Sequence, residues 1–341
     1  GIMIAVVLLI FELAPPHIQN IYKPLIQISI NIGNTFIGLL SLYKITGENW
    51  NLVFIAPALF ACVLLIVLVI LPESPKFIFS TTRNLEKMES VFRKLRGKYY
   101  DQTEVDTLKK SLLETIGVTQ MSVLQFFWEK KFRLATLALI MISISHQICG
   151  INAVMAFAPT LLKNSGVDQV DVSGIIITSI AILGSIIFSP LVVTQRRKFI
   201  WIAGFVFMLL SLSSYLICNA VEAPAWIKLI FLCYFVFMFQ LGPGPIAWFI
   251  SFEMFPPNAN GSAQGVSSFF IWMADTSVYL LFPILFESIK YNTLFIFIIL
   301  QAIIIIVSIL LMVETKKKSP NKVLSEYEKK SFMMRIFFRQ R

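Results

Sequence analysis

Apolar runs of roughly 20 residues recur along the chain, at 24–43, 50–71, 134–162, 172–193, 199–220, 226–250, 262–286 and 291–313. An α-helix of about 20 residues is long enough to cross the ~30 Å hydrocarbon layer of a bilayer. Lipid offers no partner to backbone N–H and C=O groups, so repeated apolar runs of this length have one economical solution, a bundle of membrane-spanning helices. A further run at 1–13 stops at Pro15 and Pro16 and counts as a partial span. The expectation is an all-α polytopic membrane protein with one partial and eight complete spans. Charged residues make up 14% of the sequence, against roughly 25% in a soluble protein. The sequence opens on Gly1 inside an apolar run, with no basic leader, so it reads as a fragment or short form without a visible signal peptide.

The net charge of +10 raises the possibility of a nucleic-acid partner, but its distribution points elsewhere. Of 29 Lys and Arg, 12 fall between residues 76 and 133, three at 196–198 and nine from 316 onward, with Lys23 on the same side. Lys44, Lys163, Lys228 and Lys290 occur singly in the alternate connections. That alternation follows the positive-inside rule and places the basic links on the cytoplasmic face, next to anionic lipid. Four segments result: 1–72, spans that precede the charged stretch; 73–133, a cytoplasmic helical linker; 134–313, six spans; and 314–341, a charged cytoplasmic tail. In the linker, Glu86 and Glu89 stand among basic residues, Glu89 four positions before Arg93, as on a solvated helix.

Polar groups inside the spans carry the functional signal. The stretch 143–159, SISHQICGINAVMAFAP, holds His146, Gln147 and Asn152 around Gly150. Gln147 lies four residues after Ser143, on the same helix face, and Gly150 offers a place for the helix to bend. Gln27 and Asn31 share a face of the first complete span. At 239–255, FQLGPGPIAWFISFEMF, two Gly and two Pro should kink the helix before Trp248 and Phe249, and Glu253 follows at its end. Asp275 is a formal charge deep within a span. From these residues alone two readings stand: a wet cavity for a polar substrate, or interhelical hydrogen bonds between packed spans. At its helix end Glu253 is expected to form an exposed pair with Arg196, Arg197 or Lys76, worth ~0–1 kcal/mol.

Catalytic chemistry finds little support. The two histidines, His17 and His146, are far apart, the four cysteines lie in apolar runs without CxxC spacing, and no phosphate-cradling Gly loop is visible. No enzyme, cofactor or metal site is expected. Asn260-Gly261-Ser262 fits the N-glycosylation pattern but falls in a link assigned to the cytoplasm, so it reads as a chance match.

Several of these stretches, in order, resemble the sugar porter family of the major facilitator superfamily, the facilitative glucose transporters and their proton-coupled relatives. PESPKF at 72–77 is similar to PESPR after the family's sixth span, and HQICGINAVMAFAP to QQxxGINxxxYY in its seventh. GPGPIAWFISFEMF resembles GPGPIPWFIxxELF in the tenth, VETKKKS at 313–319 resembles the closing PETKGK, and Glu12-Leu13-Ala14-Pro15 is similar to GEVSP after the fourth. The resemblance implies the superfamily fold with its N-terminal bundle incomplete, the chain beginning within the fourth span. It implies a multi-pass protein of the plasma membrane that moves a hexose by alternating access, facilitatively, with no cofactor.

The implied sugar site comprises Gln27, His146, Gln147, Asn152, Gln240, Trp248 and Asp275. His146 stands where Gln is usual, Gln240 where Glu is, Asp275 and Ile177 where Asn is, and Met155, Ala156 and Phe157 replace a Phe-Tyr-Tyr lid. Ser143, Ile144 and Ser145 stand for the triplet associated with glucose preference. The implied cytoplasmic gate comprises Glu12, Glu73, Lys76, Arg196, Arg197, Glu253 and Glu314. Gln19, Lys76 and Asn260 occupy usual arginine positions, which predicts a thinned gate. Partners are the sugar and the bilayer, not nucleic acid. The alternatives are a proton-coupled sugar symporter, or a chain that does not transport and acts by associating with itself or with a full-length transporter.

Overall fold

The structure, a computed structural model, describes residues 9–10, 13–15, 19–42, 49, 51–114, 120–163 and 170–339. It divides into two compact units, one of 1–19 with 40–120, the other of 20–39 with 121–341. The first described long helix groups with the later spans, and so does the end of the basic stretch.

In the first unit, helix α2 (Leu52–Ile70) precedes three short polar helices, α3 (Pro75–Thr82), α4 (Leu85–Arg96) and α5 (Gln102–Glu114). Their starts are chemically marked. Ser74 accepts the Phe77 N–H with Pro75 at the first helical position, and Asn84 accepts the Lys87 N–H at 3.0 Å. Met88 and Phe92 of α4 and Val105 of α5 are buried, while the charged residues face outward or pair. Arg96 grips Glu104 with two nitrogens (2.7 and 3.1 Å) and donates to the Leu13 carbonyl (2.8 Å). Glu89 accepts from Lys109 (2.6 Å) and Tyr100 (2.9 Å) and lies 3.7 Å from Arg93, four residues on. No residue of 53–70 is buried.

The second unit contains α1 (Gln19–Leu40), the short α6 (Val123–Trp128), α7 (Arg133–Ile148), α8 (Ile151–Lys163), α9 (Val170–Thr194), α10 (Arg197–Ala220), α11 (Ala225–Phe239), α12 (Pro243–Met254), α13 (Asn260–Ile289), α14 (Thr293–Leu311) and α15 (Pro320–Arg339). Helix α10 packs on α11 and α14, α13 on α7, and α9 on α11 and α8. Among the described residues six stretches are long and apolar enough to cross a membrane: Val53–Ile70, Lys130–Ala158, Val172–Thr194, Arg197–Ala220, Ala225–Met254 and Asn260–Leu311, the last holding two helices. Helix α1 is not among them, because Lys23, Gln27, Asn31 and Asn34 dilute its apolar character. It also begins five residues before the expected start, carrying Pro24 within it.

Two expected spans are each broken in two. Gly150, at φ 92°, separates α7 from α8, and a Cβ there would stand 2.8 Å from Phe297 Cγ. Both the left-handed backbone and the close ring require glycine. Between α11 and α12, a Cβ on Gly242 would collide with the Ile200 carbonyl oxygen. The tail is a docked helix rather than a loose charged segment. Val323, Leu324 and Tyr327 of α15 are buried, and the Tyr327 hydroxyl accepts the Val313 N–H at 3.3 Å. Burial raises the Tyr327 hydroxyl above the usual tyrosine pKa, keeping it neutral. Asn260 opens α13, and Ser262 is buried with its hydroxyl on the Met121 carbonyl (2.6 Å), so the Asn-Gly-Ser triplet is helix rather than exposed loop.

Candidate functional site

The breaks in the two spans expose backbone groups that helical continuity would have satisfied, and the sequence supplies partners for them. Gln301 of α14 donates to the Cys149 carbonyl at 2.7 Å, on the α7 side of the gap. On the α8 side, Asn152 lies in the first turn and points its amide away from its own helix. Asn152 Nδ2 donates to Gln147 Oε1 (2.9 Å) and to the Asp275 carboxylate of α13. No Lys, Arg or His lies within 4 Å of that carboxylate among the described residues.

A second chain of hydrogen bonds starts on α12. Trp248 Nε1 donates to Gln27 Oε1 (2.9 Å), Gln27 Nε2 to Asn31 Oδ1 (3.2 Å), and Asn31 Nδ2 to both Gln240 Oε1 and the Ala181 carbonyl (3.1 Å each). His146 stands between the two chains. Its ring meets Trp248 and Phe239 edge-on, centroids 5.4 and 5.2 Å away, and neither ring nitrogen has a hydrogen-bond partner among the described residues. Gln240 Nε2 is likewise unpartnered. A buried polar atom without a partner costs ~1–3 kcal/mol, so these atoms are unspent donors and acceptors. Gln27, His146, Gln147, Gln240 and Trp248 are each 5% exposed or less, whereas Asn152 and Asp275 are half-buried. Chemically the cluster offers amides, an imidazole and a carboxylate to hydroxyls, and ring faces to apolar carbon.

All seven residues of the site implied by the resemblance therefore fall in one neighbourhood of the second unit. Asn31 joins them, although the sequence marked it only by its i,i+4 spacing from Gln27. Ser143, one turn before Gln147, bonds the Ser267 hydroxyl (2.8 Å), and Ile177 is fully buried.

The charged cluster differs from expectation. Glu253 is not in an exposed, weak pair: its side chain is 12% exposed and bonds Arg197 (3.0 Å, 3% exposed) and Lys23 (2.6 Å, 11% exposed). Helices α1 and α12 enclose the carboxylate, and Thr315 adds a hydrogen bond at 2.5 Å. Arg197 also donates to the Val192 carbonyl. Lys23 and Thr315 were not foreseen; Lys23 supplies a cation that the thinned-gate reading did not count. Glu314 accepts the Arg197 N–H (2.9 Å) and Lys198 N–H (3.2 Å), so it caps α10 rather than pairing with a side chain. Arg196 is exposed, as are Glu73 and Lys76 of the first unit, and none of the three forms an ion pair among the described residues. Glu12 lies outside the described residues.

Comparison with known proteins agrees with this architecture. The family model "Sugar (and other) transporter" matches residues 1–327. Solute carrier family 2, facilitated glucose transporter member 2, from Gallus gallus is 25% identical over 325 residues, covering 94% of this chain and 61% of that protein. Member 3 from the same species is 27% identical over 288 residues, covering 80% and 56%. The chain thus spans about three-fifths of the length of the curated relatives it matches. Among solved structures, the major facilitator superfamily proton:xylose symporter XylE bound to 6-bromo-6-deoxy-D-glucose superposes with TM-score 0.73 at 23% identity, covering 93% of this chain and 69% of that one. A partially occluded inward-open form of the xylose transporter XylE from E. coli gives the same TM-score at 24% identity, covering 92% and 68%. These structural likenesses establish the fold, and the apolar helices make the protein a multi-pass membrane protein. By the match over nearly its whole length, the chain belongs to the "Sugar (and other) transporter" family.

Proposed function

We propose that the chain contributes the central binding site of a facilitative hexose carrier working by alternating access. The observation that carries this reading is the pair of buried polar networks, Asn152–Gln147–Asp275 and Trp248–Gln27–Asn31–Gln240, with the unpartnered His146 ring next in sequence to Gln147 and packed on Trp248. A hexose trades water for such amides at little net cost, and the indole covers its apolar face. No step makes or breaks a covalent bond, so the chain is not an enzyme. The basic segments support a cytoplasmic linker and tail, and the plasma membrane is the proposed location. The test is uptake of radiolabelled glucose into proteoliposomes containing the chain. Saturable uptake that Asn152→Leu lowers at least roughly tenfold is expected, since that change strips both bonds from one amide. Uptake unchanged by Asn152→Leu refutes the site. Uptake driven by an imposed proton gradient would mark the symport alternative.

The second reading, a chain that acts by associating with another copy or with a full-length transporter, is favoured by helix α2, where no residue of 53–70 is buried. Absence of uptake together with co-purification of a tagged full-length relative would select it.

A further inference from the structure

At one end of the second unit, where α9 stops and α10 begins, a cleft of about 580 Å³ is lined by Thr194, Gln195, Arg196, Glu314 and the three lysines at 316–318. Its charges do not balance. Glu314, the one carboxylate in the lining, is already engaged by three backbone donors, the N–H groups of Arg197, Lys198 and Lys316. Lys318 is paired with Glu326 at 2.6 Å. Arg196, Lys316 and Lys317 are left with no carboxylate within 4 Å among the described residues. Desolvation, then the charges of Arg197 and Lys317, hold the Lys316 ammonium below the usual lysine range, against the opposing pull of Glu314 and Glu253. An added anion would relieve that crowding.

We propose that this cleft binds a phosphate-bearing anion carrying two or more negative charges, held by the Arg196 guanidinium and the Lys316 and Lys317 ammoniums. The guanidinium fork matches phosphate oxygens two at a time, and the two ammoniums act as point charges beside it. A single carboxylate would leave two cations uncompensated, and a halide would leave most of the 580 Å³ empty. Helices α9 and α14 stop and α10 begins at this level, so the cleft lies where a phosphorylated lipid headgroup or a soluble phosphate ester can reach it. Bound there, the anion ties the segment after α14 to the α9–α10 corner, next to the Arg197–Glu253–Lys23 cluster. The site is independent of whether the chain transports a sugar.

The test uses the full chain in detergent and two probes: short-chain phosphatidylinositol 4,5-bisphosphate and its free headgroup, inositol 1,4,5-trisphosphate. Equilibrium binding is measured for the unaltered chain, for the double variant Lys316→Gln/Lys317→Gln, and for Arg196→Gln on the opposite wall. Lys87→Gln/Lys94→Gln on α4 removes the same charge elsewhere. Saturable binding that the first double variant weakens roughly tenfold or more, that Arg196→Gln also weakens, and that the α4 control changes less than about twofold supports the site. Binding of the lipid alone assigns the headgroup source, and equal binding of both probes assigns a soluble anion. No saturable binding of either probe, or equal weakening by the cleft and control variants, overturns the proposal.

Discussion

Replacing Glu253 with Gln separates charge from shape in the cluster that joins α1, α10 and α12. Glu253 lies 2.6 Å from Lys23 and 3.0 Å from Arg197, and all three side chains are 12% exposed or less. At an effective dielectric of ~20 each contact contributes ~5–6 kcal/mol of gross attraction, most of it offset by the cost of desolvating the ions. Removing the carboxylate leaves two buried cations facing each other, which costs about 3–5 kcal/mol by comparison with other broken buried pairs. Lys23→Met does the reverse, leaving a neutral Arg197–Glu253 pair with its remaining hydrogen bonds, and should change stability by less than ~1 kcal/mol. Thermal unfolding in detergent, followed by tryptophan fluorescence, is the assay. At ~2–4 °C per kcal/mol, Glu253→Gln should lower the apparent midpoint by about 6 °C or more, while Lys23→Met moves it by about 4 °C at most. Equal midpoints for Glu253→Gln and the unaltered chain would refute the reasoning, as would a Lys23→Met variant that melts as early as Glu253→Gln.

Gly150→Ala combines a left-handed φ of 92° with a Cβ 2.8 Å from Phe297 and should destabilise the chain by about 2 kcal/mol or more. Adding Phe297→Leu should restore only part of that in the same melting assay, because the backbone strain persists. Asp275→Asn keeps a side-chain acceptor for the Asn152 amide while removing the half-buried charge. Glucose uptake should survive it within about threefold, and an abolished signal would show that the carboxylate charge itself is required. The Lys109 and Tyr100 hydrogen bonds hold Glu89 below its ordinary pKa of 4.5. Its contribution to the α4–α5 contact is therefore complete above that value and is lost as the pH falls through the lowered one. Hydrogen exchange of α4 and α5 amides in the full chain should lose protection as the pH falls below 4.5 and through the lowered value, and Glu89→Gln should remove that dependence.

Most of the helices and both breaks were legible because the bilayer imposes a simple length rule and because Gly and Pro have few other uses inside a span. Gly150 is an example: its residue type predicts a bend, and its left-handed backbone realises one. The residues missed were those whose role depends on a distant partner. Lys23 reads from sequence as one more basic residue at a span end, and only the fold sets it 2.6 Å from Glu253, 230 positions away. Thr315 lies within the VETKKKS stretch, but nothing in that stretch points to a bond with Glu253. The expected weakness of the Glu253 pair failed for the same reason, since periodicity gives a helix end but not the neighbours that shut out water. Asn31 lay within reach of sequence reasoning through its spacing from Gln27, but its bond to Gln240 joins helices 209 positions apart.

The interruption at Gly150 also changes the electrical character of the bundle's interior. An unbroken rod would keep its positive and negative poles at the two water-facing ends; cutting it places the amino pole of α8 in the interior of the second unit, within its first turn at Asn152. That pole is a local source of positive potential for Asp275, which has no cationic side chain within 4 Å among the described residues. A chain that restored helical continuity at residues 149–150 would lose this compensation, and the Asn152 amide would no longer stand at a helix start facing the carboxylate.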